Sequence, residues 1–472
     1  SLIFILCTYH SFWRYLTVAA SPRNDFNVSK AQVQAQLVFV YLVPNRNCIA
    51  LPMYAIDSLV HATETQARSR VTLITDVGKC PQSSQSLQLL TNQSNNGVSI
   101  VQTDNIRSKR TNQFELGMKK WFKKLNIVVP LYFSSLLRFF FLEDLMRSFG
   151  IEQMLHMEAD NLLYVSLEHL IPALAKHYPN LAANPLGLEG RVVTASTFWI
   201  GNVNALAHFN DWLWKLTQDD ADQREVLALV GWLAQRTPGT KQFWLRPGRQ
   251  GIYPRDFDYP SEISGLKRYT FNEMTFLAYY AHAAGRGRLL FFPCLPKNGT
   301  SATYLQVHRP VSQEAYVIGG AAVGPPIFDF VFDPGSWGQY LGGSTYQDHT
   351  GKPIHGPRSQ ASTEKFGDAG HIIGYFMTID QNTCRVRVRC NSLGRAYQRG
   401  GRSDSLFRSE PGRCYRVPYV ACVGRRPRAG GVRLLEKARW FPLANLHVYS
   451  KHIRRFVSAP CTCTDLPLQK TT

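Results

Sequence analysis

The sequence contains few charged residues, no long apolar run and no cysteine pair with C-x-x-C spacing. Charged residues make up 18% of its 472 residues and hydrophobic residues 44%, a balance that excludes a disordered chain and predicts one large folded core or two smaller ones. No run of 18 apolar residues occurs, so the sequence holds no complete transmembrane helix. None of the ten cysteines forms a C-x-x-C pair, so a zinc ribbon is not expected.

Acidic residues are also scarce, and the resulting positive charge is concentrated towards the carboxyl terminus. The formal net charge of +20 is compatible with a nucleic acid, an anionic membrane surface or an anionic small ligand as partner. Arginines recur densely over residues 385–439, where only Asp404, Glu410 and Glu436 oppose them. Because this region also has little hydrophobic periodicity, we predict an irregular basic insertion over residues 346–440. Its aromatic residues are too sparse for a platform on which the bases of a single strand stack, so no specific nucleic-acid partner is expected.

The hydrophobic patterns in the rest of the chain predict an α/β protein with a mainly parallel sheet. Residues 36–42 and 71–75 are rich in β-branched and aromatic residues and predict strands, and residues 51–66 between them predict an amphipathic helix. A strand–helix–strand unit of this kind favours parallel pairing. The other predicted elements are helices over 136–148, 166–177, 204–216 and 271–284, strands over 192–200, 289–293 and 374–379, and a polar loop over 83–97.

Two carboxylates follow an apolar run in the segment His156-Met-Glu-Ala-Asp-Asn161. If a strand continues through them, Glu158 and Asp160 project from one face at its carboxyl end, where open α/β sheets place their ligands. Two carboxylates held so close repel each other unless a cation joins them, and Mg²⁺ or Mn²⁺ suits oxygen ligands. The alternative is a strand that ends in ordinary solvated acids. His156 is interpreted as a packed core histidine.

The region around these acids resembles the DxD region of the GT-A glycosyltransferases, in particular a group with a His-Leu-Glu-x-Asp-x-x-Leu-Tyr pattern. The resemblance rests on Leu155–Tyr164, with Arg138 in the preceding helix, and on Phe332–Gly343 and Ala444–Lys451. It implies a GT-A-like fold, which is a mainly parallel mixed sheet flanked by helices. The domains that follow are a leader or signal-anchor remnant at 1–33, a catalytic domain at 34–345, the basic insertion at 346–440, a motif closing the active site at 441–460 and a tail at 461–472.

The resemblance also implies residues for the cation and the nucleotide. His447 would complete the metal shell of the two acids, whereas the alternative is a histidine that caps a packed strand. Lys451 would contact a phosphate. Arg138 would pair with a phosphate or with a nearby acid. Asp76, at the end of the second predicted strand, is placed by sheet topology near the nucleotide base or ribose.

Two acids are candidates for work on the sugar or the acceptor. Asp333 opens a glycine-rich loop that includes Gly342 and Gly343, and these glycines allow the backbone to approach a donor closely. Asp333 is the first candidate for a catalytic base, although a turn-forming Asp before Pro334 explains it equally well. Glu273 is the second candidate, and its place at a helix N-terminus already has a structural explanation.

Together these features predict a metal-dependent glycosyltransferase of the hexosyltransferase type. It would use Mn²⁺ or Mg²⁺ and move a sugar from a nucleoside-diphosphate sugar to an unidentified glycan, protein or lipid acceptor. The alternative is a non-catalytic GT-A-like domain or a basic protein that binds polyanions. Sequons at Asn27, Asn92 and Asn298 favour a Golgi location with an amino-terminal membrane anchor over a cytoplasmic one. The first twenty residues are equally compatible with an ordinary amino-terminal segment.

Overall fold

The structure is a computed structural model of the chain. It describes residues 35–43, 49–66, 69–77, 81–124, 130–186, 192–217, 272–292, 295–296, 317–318, 330, 332–333, 384–391, 413–422, 425–427, 433–435, 439–447, 453, 457 and 459–460. All of them belong to one unit, Gln34–Thr472.

The described helices and strands are numbered in chain order. The helices are α1 (Met53–Thr65), α2 (Pro81–Gln93), α3 (Thr103–Ile106), α4 (Lys109–Lys124), α5 (Pro130–Phe149), α6 (Leu167–His177), α7 (Val203–Thr217) and α8 (Glu273–Tyr279), which continues as a π-helix over Tyr280–Ala284. The strands are β1 (Gln36–Tyr41), β2 (Val71–Thr75), β3 (Val98–Gln102), β4 (Met154–Met157), β5 (Asn161–Leu163), β6 (Leu181–Leu186), β7 (Val192–Ile200), β8 (Leu289–Phe291), β9 (Leu295–Pro296), β10 (Val317–Ile318), β11 (Cys384–Asn391), β12 (Arg413–Cys422), β13 (Arg425–Pro427), β14 (Arg433–Leu435), β15 (Arg439–Pro442), β16 (Asn445–His447) and β17 (Ala459–Pro460).

Seven strands form one mixed sheet in the order β3-β2-β1-β4-β7-β6-β8. The pairs β3–β2, β2–β1, β1–β4 and β6–β8 are parallel, whereas β7 runs antiparallel to both of its neighbours, β4 and β6. The predicted α/β class with a mainly parallel sheet is therefore confirmed.

Helices cover both faces of the sheet because its central strands are apolar on both sides. In β1, Leu37 and Phe39 belong to one hydrophobic cluster, whereas Val38 and Val40 belong to the other. The first cluster includes residues of α1 and α6, and the second includes residues of α4, α5, α7 and α8. Strands that are buried on both faces are typical of α/β sheets of this kind.

One edge of the sheet gathers the carboxyl ends of β1, β2 and β4. Tyr41 at the end of β1 is opposite Thr75 at the end of β2, and Phe39 is opposite Met157 at the end of β4. The short strand β5 follows directly and pairs antiparallel with β16, where His447 lies opposite Asn161. This pairing brings a carboxyl-terminal segment to the turn that follows β4.

The predicted polar loop over 83–97 is wrong, because α2 and the turn before β3 occupy this part of the chain. Two helix positions that apolar residues would normally fill carry buried serines. Ser83 Oγ donates to the Ile49 carbonyl (2.9 Å), and Ser86 Oγ accepts from the Leu51 N–H (2.8 Å). These hydrogen bonds replace the apolar contacts on which a hydrophobic pattern depends.

The segment that was predicted to be irregular contains paired strands. β11 and β12 run antiparallel, with Cys384 opposite Cys422 and Asn391 opposite Tyr415, and β15 pairs with β12. The sequence of β11 is Cys-Arg-Val-Arg-Val-Arg-Cys-Asn, whose two-residue alternation is the pattern of a strand. The prediction of irregular structure is therefore wrong for these strands. The strand predicted over 374–379 lies outside the described residues.

Within the part of the chain that the structure describes, no helix is both long and apolar enough to cross a membrane. The predicted leader at 1–33 and the tail at 461–472 lie outside the described residues. The predicted domain boundaries therefore stay predictions.

Candidate metal centre

A tight turn after β4 carries the two carboxylates. β4 ends at Met157 and the backbone N–H of Asn161 donates to the Glu158 carbonyl (3.1 Å), so the expected continuous strand through both acids is wrong. The N–H of Glu158 donates to the Ser196 carbonyl in β7 (3.0 Å), which fixes the start of the turn. Glu158 and Asp160 are both 22% exposed. The turn, and not strand alternation, brings them to the same side.

His447 at the end of β16 adds a third group. Its side chain is 5% exposed, and its Nε2 lies 3.0 Å from Asp160 Oδ1 and 3.3 Å from Glu158 Oε2. One ligand atom from each of the three residues can be chosen so that all three lie within 4.8 Å of one another. The structure thus brings together the three residues that we predicted from the sequence as metal ligands, although His447 is 287 positions from Asp160.

Mutual electrostatic stabilisation holds the three groups in place. Burial favours the neutral form of Asp160, but the charge and hydrogen bond of His447 outweigh burial and lower the pKa of the carboxyl below its ordinary value. Burial likewise opposes the charged form of His447, but Asp160, Glu158 and then Asp333 raise the pKa of its imidazole to about 9. Without a cation, a protonated His447 therefore supplies the positive charge that two close carboxylates require. A divalent ion bound at Nε2 would displace this proton, because only the neutral imidazole is a metal ligand.

Arg138 of α5 lies between Glu158 and a second acid. Its Nη1 donates to Glu158 Oε1 (2.6 Å), and its Nη2 lies 3.5 Å from Glu273 Oε1. Both Arg138 and Glu273 are buried. Burial raises the pKa of the Glu273 carboxyl, and Arg138 partly opposes this rise. Of the two roles expected for Arg138, the described contacts show pairing with acids.

Asp333 is completely buried and is bonded to the backbone that carries His447. Its Oδ2 accepts from the His447 N–H (2.9 Å), and its own N–H donates to Asn445 Oδ1 (3.0 Å). These contacts do not support the expected role of Asp333 as a base that contacts an acceptor.

Sequence reasoning missed three buried asparagines that join the segments of the site. Asn445 Nδ2 donates to Asn161 Oδ1 (3.0 Å), Asn161 Nδ2 donates to the Ser196 carbonyl (2.6 Å), and Asn184 Nδ2 donates to the Asp333 carbonyl (2.9 Å). The available signal was weak. Asn161 directly follows Asp160, and Asn445 precedes His447 by the two positions that place strand residues on one face.

Two tyrosines and Asp76 lie near the same sheet edge, with Tyr41 at the end of β1 and Tyr54 in α1. Asp76 Oδ1 accepts from the Val43 N–H (2.7 Å), which fixes the chain just after β1. Burial raises the pKa of the Tyr41 and Tyr54 hydroxyls, which are hydrogen-bonded to each other, and Asp160 adds to the rise at Tyr54. Both hydroxyls therefore stay protonated at neutral pH. The position of Tyr41 at the end of β1 was a signal that sequence reasoning did not use.

The donor set fits a divalent cation. Two carboxylates and one imidazole offer the hard oxygen ligands that Mg²⁺ and Mn²⁺ prefer, together with a nitrogen that Mn²⁺ accepts. Their spacing allows one ion to contact all three residues. The other residues predicted to contact the nucleotide, Gly342, Gly343 and Lys451, lie outside the described residues.

Comparison with known proteins gives distant structural similarities. No protein-family model matches the chain, and a search of curated proteins finds no match. Similar solved structures include mouse xyloside xylosyltransferase 1 (10% identity, TM-score 0.28, covering 39% of this chain and 74% of that one) and PaToxG glycosyltransferase (10%, 0.25, 52% and 85%). The bifunctional glycosyltransferase WbbM is also similar (14%, 0.24, 39% and 34%). Scores of this size carry no argument about function, which rests on the geometry of the site.

Proposed function

We propose that this chain is a metal-dependent glycosyltransferase that uses a nucleoside-diphosphate sugar. The observation that carries the proposal is the convergence of Glu158, Asp160 and His447 at the edge where β1, β2 and β4 end. Carboxyl ends of parallel strands are where open α/β sheets bind their ligands. A divalent cation held by these residues would act as a Lewis acid that neutralises the diphosphate leaving group.

The neighbouring residues have roles that follow from their contacts. Arg138 holds Glu158 through Oε1 while Oε2 faces His447, so the arginine orients the carboxylate without occupying both of its oxygens. Tyr54 lies near Asp160 and Glu158 and is hydrogen-bonded to Tyr41. Protonated hydroxyls of this kind suit the ribose and phosphate oxygens of a nucleotide. Asp76 stays our candidate for contact with the nucleoside.

The identity of the catalytic base that would act on the acceptor stays a prediction, with Asp333 and Glu273 as the two candidates. Glu273 is buried against Arg138, and Asp333 is buried against the His447 backbone. These contacts favour structural roles for both acids. Roles for Gly342, Gly343 and Lys451 at the phosphates, and the choice of glycan, protein or lipid as acceptor, are proposed on the resemblance alone.

A screen of nucleotide sugars for donor hydrolysis, with and without Mn²⁺, tests this function. We expect release of the nucleoside diphosphate from at least one donor, only when the cation is present. Asp160→Asn should abolish it, because the amide keeps the shape of the side chain and loses its charge. Asp211→Asn is the matched control, since Asp211 is 62% exposed and pairs with Arg110 in a different part of the chain.

The alternative is a basic protein that binds polyanions. It predicts binding to heparin-like polymers that weakens steeply as salt rises and is unchanged by Asp160→Asn. That result, together with no metal-dependent donor hydrolysis, would contradict the proposed activity.

A further inference from the structure

We propose that Asp333 is a positioning residue for the metal centre, which fixes His447 by accepting its backbone N–H. The inference rests on the proposed cation site. It assigns Asp333 a role that differs from the catalytic base expected from its sequence context.

The first observation is the direct contact. The carboxylate Oδ2 of Asp333 lies 2.9 Å from the His447 nitrogen, and both residues are buried, Asp333 completely. A charged acceptor forms a stronger hydrogen bond than a neutral one. This hydrogen bond fixes the backbone position of His447. It does not use the ring, so Nε2 stays directed at the two acids.

The second observation is that Asp333 is itself held on both sides of its backbone. Its N–H donates to Asn445 Oδ1 (3.0 Å), and its carbonyl accepts from Asn184 Nδ2 (2.9 Å) and Asn445 Nδ2 (3.4 Å). All three residues are completely buried. A buried amide whose donors and acceptor are engaged specifies one geometry, because each unmade bond would cost free energy.

The third observation links this network to the other ligand segment. Asn445 Nδ2 also donates to Asn161 Oδ1 (3.0 Å), and Asn161 directly follows Asp160. Asn161 is anchored in turn to the β7 backbone through Ser196. The strands β5 and β16 are only three residues long, so their ladder alone gives little rigidity. The buried network therefore holds the two ligand-bearing segments at a fixed separation.

The physical consequence concerns cation affinity. Groups that orient metal ligands typically change affinity about 10- to 100-fold when they are removed. Asp333→Leu removes the acceptor and leaves the His447 N–H buried without that bond. Asp333→Asn keeps an acceptor oxygen at nearly the same place, so it should restore most of the affinity.

The test is a Mn²⁺ titration of the full chain, followed by calorimetry, with unfolding measured in parallel on each variant. We expect Asp333→Leu to weaken Mn²⁺ binding at least tenfold, and Asp333→Asn to stay within about threefold of the unmodified protein. In a His447→Ala background the same Asp333→Leu change should alter affinity less than about twofold, because its effect passes through His447. The matched control is Asn210→Leu, which removes another completely buried amide that bonds the Phe139 carbonyl and Glu143. It should lower stability and leave Mn²⁺ affinity unchanged.

Each outcome decides a different point. Absence of Mn²⁺ binding by the unmodified protein would overturn the cation site and this inference with it. Binding that is insensitive to Asp333→Leu, or equally sensitive in the His447→Ala background, would overturn the inference and leave the proposed activity standing. If Asp333→Leu does not fold, the contact is tested in Asp333→Asn instead, by measuring hydrogen exchange of the peptide that contains His447. Protection like that of the unmodified protein supports the contact, and complete loss of protection in a folded, Mn²⁺-binding variant contradicts it.

Discussion

Replacing Arg138 by methionine removes the guanidinium charge that pairs with both Glu158 and Glu273. It keeps most of the apolar length of the side chain. Arg138 is 7% exposed in its side chain, Glu273 is 10% exposed and Glu158 is 22% exposed. Breaking a buried ion pair by removing one partner costs about 3–5 kcal/mol. The partial exposure of Glu158 places the expected loss near the lower end, at about 3 kcal/mol of unfolding free energy.

Denaturant unfolding at pH 7 without divalent cations measures this loss. The control is Arg147→Met on the same helix, because Arg147 is 51% exposed and pairs with Glu143 at 2.8 Å. Glu143 is 4% exposed, but it keeps its contacts with Arg110 and Asn210 when the exposed arginine is removed, so we expect this control to lose at most about 1 kcal/mol. The comparison separates the effect of a buried charge from the general effect of removing an arginine from α5.

A second change tests the cause of the loss. Adding Glu273→Gln to the Arg138→Met variant should recover about 1 kcal/mol or more, because a neutral amide needs no counter-ion. A loss below about 1 kcal/mol for Arg138→Met, or no recovery in the double variant, would refute the reasoning that Arg138 neutralises buried acids.

Two further predictions concern parts of the fold outside the site. His61 is fully buried, and burial lowers the pKa of its imidazole to about 4. Since the unfolded chain takes up that proton near pH 6.5, stability is complete above pH 6.5 and falls by up to about 3 kcal/mol as the pH approaches 4. His61→Gln should flatten this dependence in unfolding curves from pH 7.5 to 4.5, and equal slopes would contradict it. Gly201→Ala should cost about 2 kcal/mol, because its Cβ would lie 2.5 Å from the Pro179 carbonyl oxygen. Gly150→Ala, which has open space but a φ of 63°, should cost about 1 kcal/mol, and the reverse order would show that crowding at Gly201 is not limiting.

Strands β1 and β2 of the sheet were predictable because they are mostly apolar on both faces, whereas β3 and β6 were not predicted. The buried run of β1 is apolar throughout, the run of β2 is interrupted only by Thr72 before it ends at Thr75, and the helix between the two strands follows from its spacing. The helix α2 was missed because Ser83 and Ser86 satisfy buried positions through hydrogen bonds to distant backbone atoms. Such bonds leave no hydrophobic period in the sequence.

The two acids of the site were predictable from the sequence. The hydrogen bonds that hold the ligand-bearing segments together were not. Two carboxylates after an apolar run are visible locally, although the turn that joins them was taken for a strand. The contact between Asp333 and His447 spans 114 positions, and that between Asn445 and Asn161 spans 284. Nothing in the local pattern pairs these residues. Their association depends on how β5 and β16 meet, which only the structure shows.

Calorimetric titration with UDP and with GDP, in the presence and absence of Mn²⁺, tests the central claim most directly. We expect at least one of the two nucleotides to bind at least tenfold more tightly with Mn²⁺, and this enhancement to disappear in Asp160→Asn while Asp211→Asn keeps it. Nucleotide binding that ignores Mn²⁺, or an enhancement that survives the loss of the Asp160 charge, would contradict the claim that Glu158, Asp160 and His447 jointly hold a cation for a diphosphate.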